Sequence, residues 1–158
     1  MRPVLGTVLA CLAALATPAP HACAEDAPAI DRLKCFMMSR RDVTDRYTVD
    51  YKEGELFFCC RACISRMKRS PTRYEAQANH QLVRTGQYEQ NDCPLTGEDL
   101  TSDSPGLEIG GVTVRFSAES HKAEVEALSE KEQIARVFGT EGFEKGGFTK
   151  VEKEDAAG

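Results

Sequence analysis

The stretch Leu56-Phe57-Phe58-Cys59-Cys60-Arg61-Ala62-Cys63 decides how this chain folds. An apolar run that breaks into Cys-Cys-x-x-Cys reads as a strand passing directly into a helix. Cys60 and Cys63 lie three residues apart, so in a first helical turn their side chains share one face. Free amides and the dipole at a helix N-terminus favour thiolates over thiols. Cys59 alternates away from Cys60 if it is still in the strand, yet it is also a helix neighbour of Cys63 at four residues. Either member of the adjacent pair can therefore serve as a ligand. Upstream, Tyr47-Thr48-Val49-Asp50-Tyr51 and Glu55-Leu56-Phe57-Phe58 flank Lys52-Glu53-Gly54, which predicts a hairpin.

Working outward, the same pattern recurs. Cys93 follows Cys35 by 58 positions, and that offset brings Val49 onto Leu107, Tyr51 onto Ile109, Leu56 onto Val114, Phe58 onto Phe116 and Met67 onto Val125. It also sets Ala118 on Cys60 and His121 on Cys63. The chain reads as two copies, residues 33–84 and 91–150, joined by residues 85–90. In the second, Leu107-Glu108-Ile109 and Val112-Thr113-Val114-Arg115-Phe116 flank Gly110-Gly111, a strong hairpin turn. The predicted class is α+β: two small units, each a β-hairpin followed by helices.

Helix punctuation is clear. Ser70 as cap, Pro71 at the first position and Gly86 at the end bound a helix whose apolar face is Tyr74, Ala78 and Leu82. Ser117 is the expected cap of the helix carrying His121. Ser129 with Glu132 predicts a capping box for a helix ending at Gly139. Phe138, Phe143 and Phe148 are expected to anchor the tail on the core, with residues 151–158 frayed.

The N-terminus reads as an export signal. Arg2 precedes an apolar run over residues 4–16, and Ala22-Cys23-Ala24 offers small residues at the peptidase positions, so cleavage is expected after Ala24. The run is too short to span a membrane, which takes about 20 residues. Neither Cys11 nor Cys23 suits lipidation. The expected location is secreted or periplasmic. The remaining residues carry 19 Lys+Arg against 25 Asp+Glu, and this acidity argues against a nucleic-acid partner. Units of about 60 residues make marginal cores that often need a metal or disulfide staple. Five cysteines survive cleavage, Cys35, Cys59, Cys60, Cys63 and Cys93; an odd count fits a pure disulfide framework poorly.

Copy one resembles the YHS/TRASH family of small metal-binding domains, on Cys35, the hairpin ending Phe57-Phe58-Cys59-Cys60, Cys63, and Pro71 followed by Tyr74. The mature chain is similar to tandem secreted bacterial YHS-like proteins, whose second copy begins as Cys93-Pro94-Leu95-Thr96-Gly97 does here. The resemblance implies treble-clef-like fingers and a role in heavy-metal handling beside copper and other metal transporters, without catalysis. Two departures stand out. Phe36 replaces the usual proline after the first cysteine, and Ser117-Ala118-Glu119-Ser120-His121 stands in place of Cys-Cys-x-x-Cys.

A closed zinc site takes four Cys or His donors. Copy one offers Cys35, Cys63 and one of Cys59 and Cys60. The fourth is the other member of that pair or Met38, whose thioether suits Cu(I) better than Zn(II). Core packing is the plainer expectation for Met38, and core or surface for Met37. Disulfide bonding competes with ligation in an oxidising compartment. Copy two keeps Cys93 and His121 as a weak second site; the plainer expectation is a lost site, with Cys93 a small buried hydrophobe and His121 on the surface. His80, among Gln77, Asn79 and Gln81, is expected to be solvated. The leading function is an exported protein that sequesters or delivers Cu(I) or Zn(II), with a metal transporter or another exported protein as possible partner. The alternatives are a zinc-stapled interaction module and, behind it, a thiol–disulfide protein using Cys60-Arg61-Ala62-Cys63. No nucleotide-binding loop, nucleophile elbow or zinc-hydrolase motif is present.

Overall fold

The computed structural model describes residues 30–152. The expected export signal, Cys11, Cys23 and residues 153–158 lie outside the described residues. The fold is α+β, and the sheets among the described residues are two-stranded antiparallel hairpins and ribbons. No helix among these residues is long and apolar enough to cross a membrane.

In copy one, β3 (Thr44–Tyr51) pairs with β4 (Gly54–Phe58) in the register Val49 opposite Leu56 and Tyr51 opposite Gly54. Lys52 makes the turn with φ +53. In copy two, β6 (Gly106–Ile109) pairs with β7 (Val112–Arg115), Leu107 opposite Val114 and Ile109 opposite Val112. Its turn is Gly110-Gly111 with φ of +57 and +83, the left-handed pair that a two-residue hairpin turn requires. Each second strand feeds a helix, α1 (Arg61–Arg69) and α3 (Glu119–Glu126). Burial follows the same 58-residue spacing at four pairs of positions. Cys35, Leu56, Phe58 and Met67 are buried, and so are Cys93, Val114, Phe116 and Val125 at the matching positions.

The first cysteine lies in a strand. Lys34–Cys35 forms β1 and pairs with β2 (Met38–Asp42), Cys35 opposite Met38. All five residues of β2 are exposed, which is why its polar sequence gives no strand signal. The helix expected from Pro71 onward divides into a 3-10 turn (Pro71–Tyr74) and α2 (Glu75–Arg84), and Ser70 makes no side-chain cap bond. The Ser129–Glu132 capping box is formed at the start of α4 (Glu130–Phe138). Phe143 on α5 (Thr140–Lys145) stacks on Phe148 at 4.8 Å between ring centres, and Phe138 lies 5.6 Å from Phe148. The tail then returns as β8 (Thr149–Lys150) to pair with β5 (Tyr88–Glu89), so the joint between the copies is itself a strand.

Two-stranded sheets leave backbone groups unpaired at their edges, and this fold closes them with glutamines. The Gln81 side chain accepts from Phe57 N at 2.8 Å and donates to Phe57 O at 3.0 Å. Gln87 does the same to Glu55, at 2.7 and 2.8 Å. Gln90 does it to Arg115 of β7, at 2.9 and 2.8 Å. Each amide stands in for one residue of a missing strand.

Helix α2 is the centre of the molecule. It packs on β4 of its own copy and on β7, α4 and α5 of the other. Asn79 Nδ2 donates to Phe138 O at 2.8 Å, and the Arg84 guanidinium donates to Gly110 O. His80 is not solvated. Its ring meets Phe138 edge-on at 4.9 Å and its Nε2 lies 3.2 Å from Ile109 O. Burial, with the Arg84 charge, holds its pKa below the ordinary histidine value, against the opposing pull of the Ile109 carbonyl.

Candidate metal centre

Strand β4 ends at Phe58, whose buried ring fixes the chain just before Cys59. Cys60 follows in extended conformation (φ −168°, ψ 164°) as the N-cap of α1, and the Cys63 amide donates to Cys60 O at 3.2 Å. The hairpin β1–β2 delivers Cys35 from the other side, with Phe36 edge-on to Phe58 at 5.4 Å. A hairpin distant in sequence and a helix start thus converge. The Sγ atoms of Cys35, Cys59 and Cys63 all lie within 4.8 Å of one another. Cys60 Sγ is 3.9 Å from Cys59 Sγ and 3.6 Å from Cys63 Sγ, and Cys59 Sγ to Cys63 Sγ is 3.8 Å.

These separations test the donor set. A bonded disulfide has its sulfurs about 2.05 Å apart, so none of these pairs is bridged, and all five described cysteines are free thiols. Four thiolates around zinc at about 2.3 Å have sulfur–sulfur edges of about 3.8 Å. The Cys59–Cys60–Cys63 triangle, at 3.6 to 3.9 Å, already has the size of one face of that tetrahedron. The residues fit a thiophilic ion. Both members of the adjacent pair reach the cluster, and Cys59 is the one grouped with Cys35 and Cys63. Met38 is 42 % exposed, contrary to the core packing expected of it.

The four thiols are not equivalent. The backbone and side chain of Cys63, as hydrogen-bond donors, pull the Cys60 thiol below its ordinary range. Burial pushes Cys63 up, and its thiol neighbours add to this. Burial also raises Cys59, reinforced by its contact with Cys35. Of Cys59, Cys60 and Cys63, the thiol made easiest to ionise is Cys60, at the helix N-terminus, where the dipole favours a negative charge.

Copy two brings its two retained donors together as well. Cys93 Sγ lies 3.8 Å from His121 Nδ1, and Cys93 is fully buried. Ser117 is not the helix cap; Ala118 occupies that position. The Ser117 hydroxyl instead donates to Glu98 Oε2 at 2.6 Å and sits 3.0 Å from His121 Nδ1. Thr96 Oγ1 donates to the same carboxylate oxygen at 2.9 Å. Burial opposes ionisation of Cys93. The Ser117 and Leu95 amides pull the other way, and the Ser117 and Thr96 hydroxyls do so when turned from Glu98 to the sulfur; the net direction is down. Glu98 is held below the usual carboxylate range by the same two hydroxyls. Sequence reasoning missed Thr96 and Glu98 here. The only signal for Ser117 was the offset that sets it on Cys59.

No family model, curated protein or solved structure matches this chain.

Proposed function

We propose that this chain is an exported heavy-metal-binding protein that sequesters or hands on one Zn(II) or Cu(I) ion through Cys35, Cys59, Cys60 and Cys63. The observation that carries the proposal is the convergence of Cys35 with Cys59 and Cys63 inside 4.8 Å. Thiolate-rich sets favour these ions over hard cations. Cys59 and Cys60 are only half-buried, which leaves the cluster open to an incoming competing thiol and supports exchange over permanent stapling. The short apolar run over residues 4–16 supports export, and the YHS/TRASH resemblance supports a binding role without catalysis.

The test is metal titration of the reduced, chelator-stripped chain with elemental analysis. Saturation of copy one by one ion is expected, with loss of that equivalent in Cys63→Ser. A wild-type chain that takes up neither metal, or a Cys63→Ser variant with unchanged copy-one binding, would remove the proposal. The second reading, a zinc-stapled interaction module, draws on copy two keeping its hairpin and helix with Ser117 and Ala118 at two cysteine positions. Ion exchange with a chromogenic chelator separates the two. Exchange within minutes supports handover, and none over days supports a staple.

A further inference from the structure

We propose that copy two holds its own, chemically different metal site, a mixed sulfur–nitrogen–oxygen site for Zn(II) formed by Cys93, His121 and Glu98. It lies in a different copy from the cysteine centre and stands or falls independently of it.

Cys93, Ser117 and His121 occupy the places that Cys35, Cys59 and Cys63 hold 58 residues earlier. His121 sits on the first turn of α3 as Cys63 sits on α1, with its amide bonded to Ala118 O at 3.1 Å. The distance of 3.8 Å between Cys93 Sγ and His121 Nδ1 is close to the edge of about 3.6 Å that a tetrahedral zinc ion imposes on a thiolate and an imidazole.

The third donor is delivered by a tight turn. Gly97 N donates to Cys93 O at 2.7 Å and Cys93 N to Glu98 O at 2.8 Å. Gly97 takes φ +76, a conformation that a side chain would strain. This turn carries the Glu98 carboxylate back to Ser117 and, through one hydroxyl, to His121. Ser117 Oγ thus occupies the space between two ligands. Glu98 reaches His121 only through this hydroxyl, so the proposal requires the carboxylate to move in past Ser117 when the ion binds.

Charge balance supplies an independent reason. The cluster gathers a thiol, a carboxylate and an imidazole. Among the described residues no Lys or Arg donates to the side chains of Cys93, Thr96, Glu98, Ser117 or His121. Both hydroxyl protons go to Glu98. The Cys93 thiol, at 3.8 Å, and the Glu98 carboxylate, through the Ser117 hydroxyl, thus approach the same imidazole nitrogen, and a divalent ion there would balance their charge. The donor types choose the ion. Zn(II) accepts thiolate, imidazole and carboxylate together, whereas a carboxylate is a poor partner for Cu(I). Copy one, all sulfur, serves either ion; copy two selects Zn(II).

The experiment uses the full reduced chain, stripped of metal, and titrates it with Co(II) as the optical probe and then Zn(II). Wild type is expected to bind two equivalents. Cys59→Ser/Cys63→Ser retains one, with a sulfur-to-cobalt band of the intensity of a single thiolate. On that background Glu98→Gln and His121→Ala each weaken binding by at least the roughly tenfold that loss of a mere hydrogen-bond partner of a ligand costs. In the otherwise wild-type chain Cys93→Ser loses one of the two equivalents and keeps the cysteine centre. This arm guards against misfolding of the double variant. The inference is overturned if wild type binds one equivalent and Cys93→Ser still binds one. It is equally overturned if Glu98→Gln and His121→Ala leave the second equivalent unchanged. Failure of the cysteine centre reads differently: Cys59→Ser/Cys63→Ser then matches wild type.

Discussion

Gln81→Leu is expected to destabilise the protein by about 2–6 kcal/mol, from the loss of two buried backbone partners at about 1–3 kcal/mol each. Gln81 is 2 % exposed and Phe57 is 3 % exposed, so water does not replace the lost bonds without opening the core. The amide gives Phe57 N an acceptor at 2.8 Å and Phe57 O a donor at 3.0 Å. Leucine has similar volume, so the change isolates the polar contribution from a cavity. Against a total stability of about 5–15 kcal/mol this is a large fraction. In a chain of this size it lowers the melting temperature by roughly 6–15 °C. The assay is urea unfolding followed by far-ultraviolet circular dichroism, with chelator present so that metal binding does not contribute. Gln77→Leu is the internal control on the same helix. Gln77 Oε1 is buried without a partner, so its replacement is expected to be neutral or slightly stabilising. If Gln81→Leu unfolds within 0.5 kcal/mol of wild type, a range of about ±0.5 kcal/mol being ordinary for surface changes, the view that side-chain amides complete these sheets is wrong.

Other outcomes follow from the same coordinates. In metal-free protein, iodoacetamide near neutral pH should label Cys60 before Cys63, because hydrogen bonds depress the one thiol and burial raises the other; peptide mass spectrometry with time settles the order, and labelling of Cys63 ahead of Cys60 would contradict it. The His80 pKa is lowered in the fold, so protonation favours the unfolded chain. Stability from His80 is complete above its ordinary value of about 6.5 and is lost as pH falls through the lower folded value. Unfolding of chelated wild type against His80→Gln across that range should show the slope only in wild type, and equal slopes would refute the buried neutral imidazole. Gly142→Ala should cost several kcal/mol, on the order of 3, because a methyl group there meets the carbonyls of Arg136 and Val137 at the end of α4; a melting temperature equal to wild type would show that α5 is free to shift.

The hairpins and the cysteine frame were legible because their signals are local. Gly110-Gly111 admits few other conformations, and Phe58 before Cys59 sets the strand-to-helix passage. The capping box at Ser129 was legible for the same reason. The hairpin around Cys35 was not, since Ser39, Arg40, Arg41 and Asp42 are solvent-facing and their pairing is a matter of backbone alone. The largest misreading concerned α2. Asn79, His80 and Gln81 look like a solvated face, yet polarity here marks a burial in which each side chain meets a backbone group from another strand or helix. Glu98 was hidden differently, as one acid among many until the turn at Gly97 brought it to Ser117.

Helix α2 belongs to the first copy by sequence, but its bonds reach Phe138, Ile109 and Gly110 in the second. The unit that repeats along the chain is therefore not the unit that folds. Either half expressed alone would expose the surface that its twin covers. A change in one half is felt as a shift in the cooperativity of the other, so the two halves are free to diverge in chemistry while remaining bound to a common fate in stability.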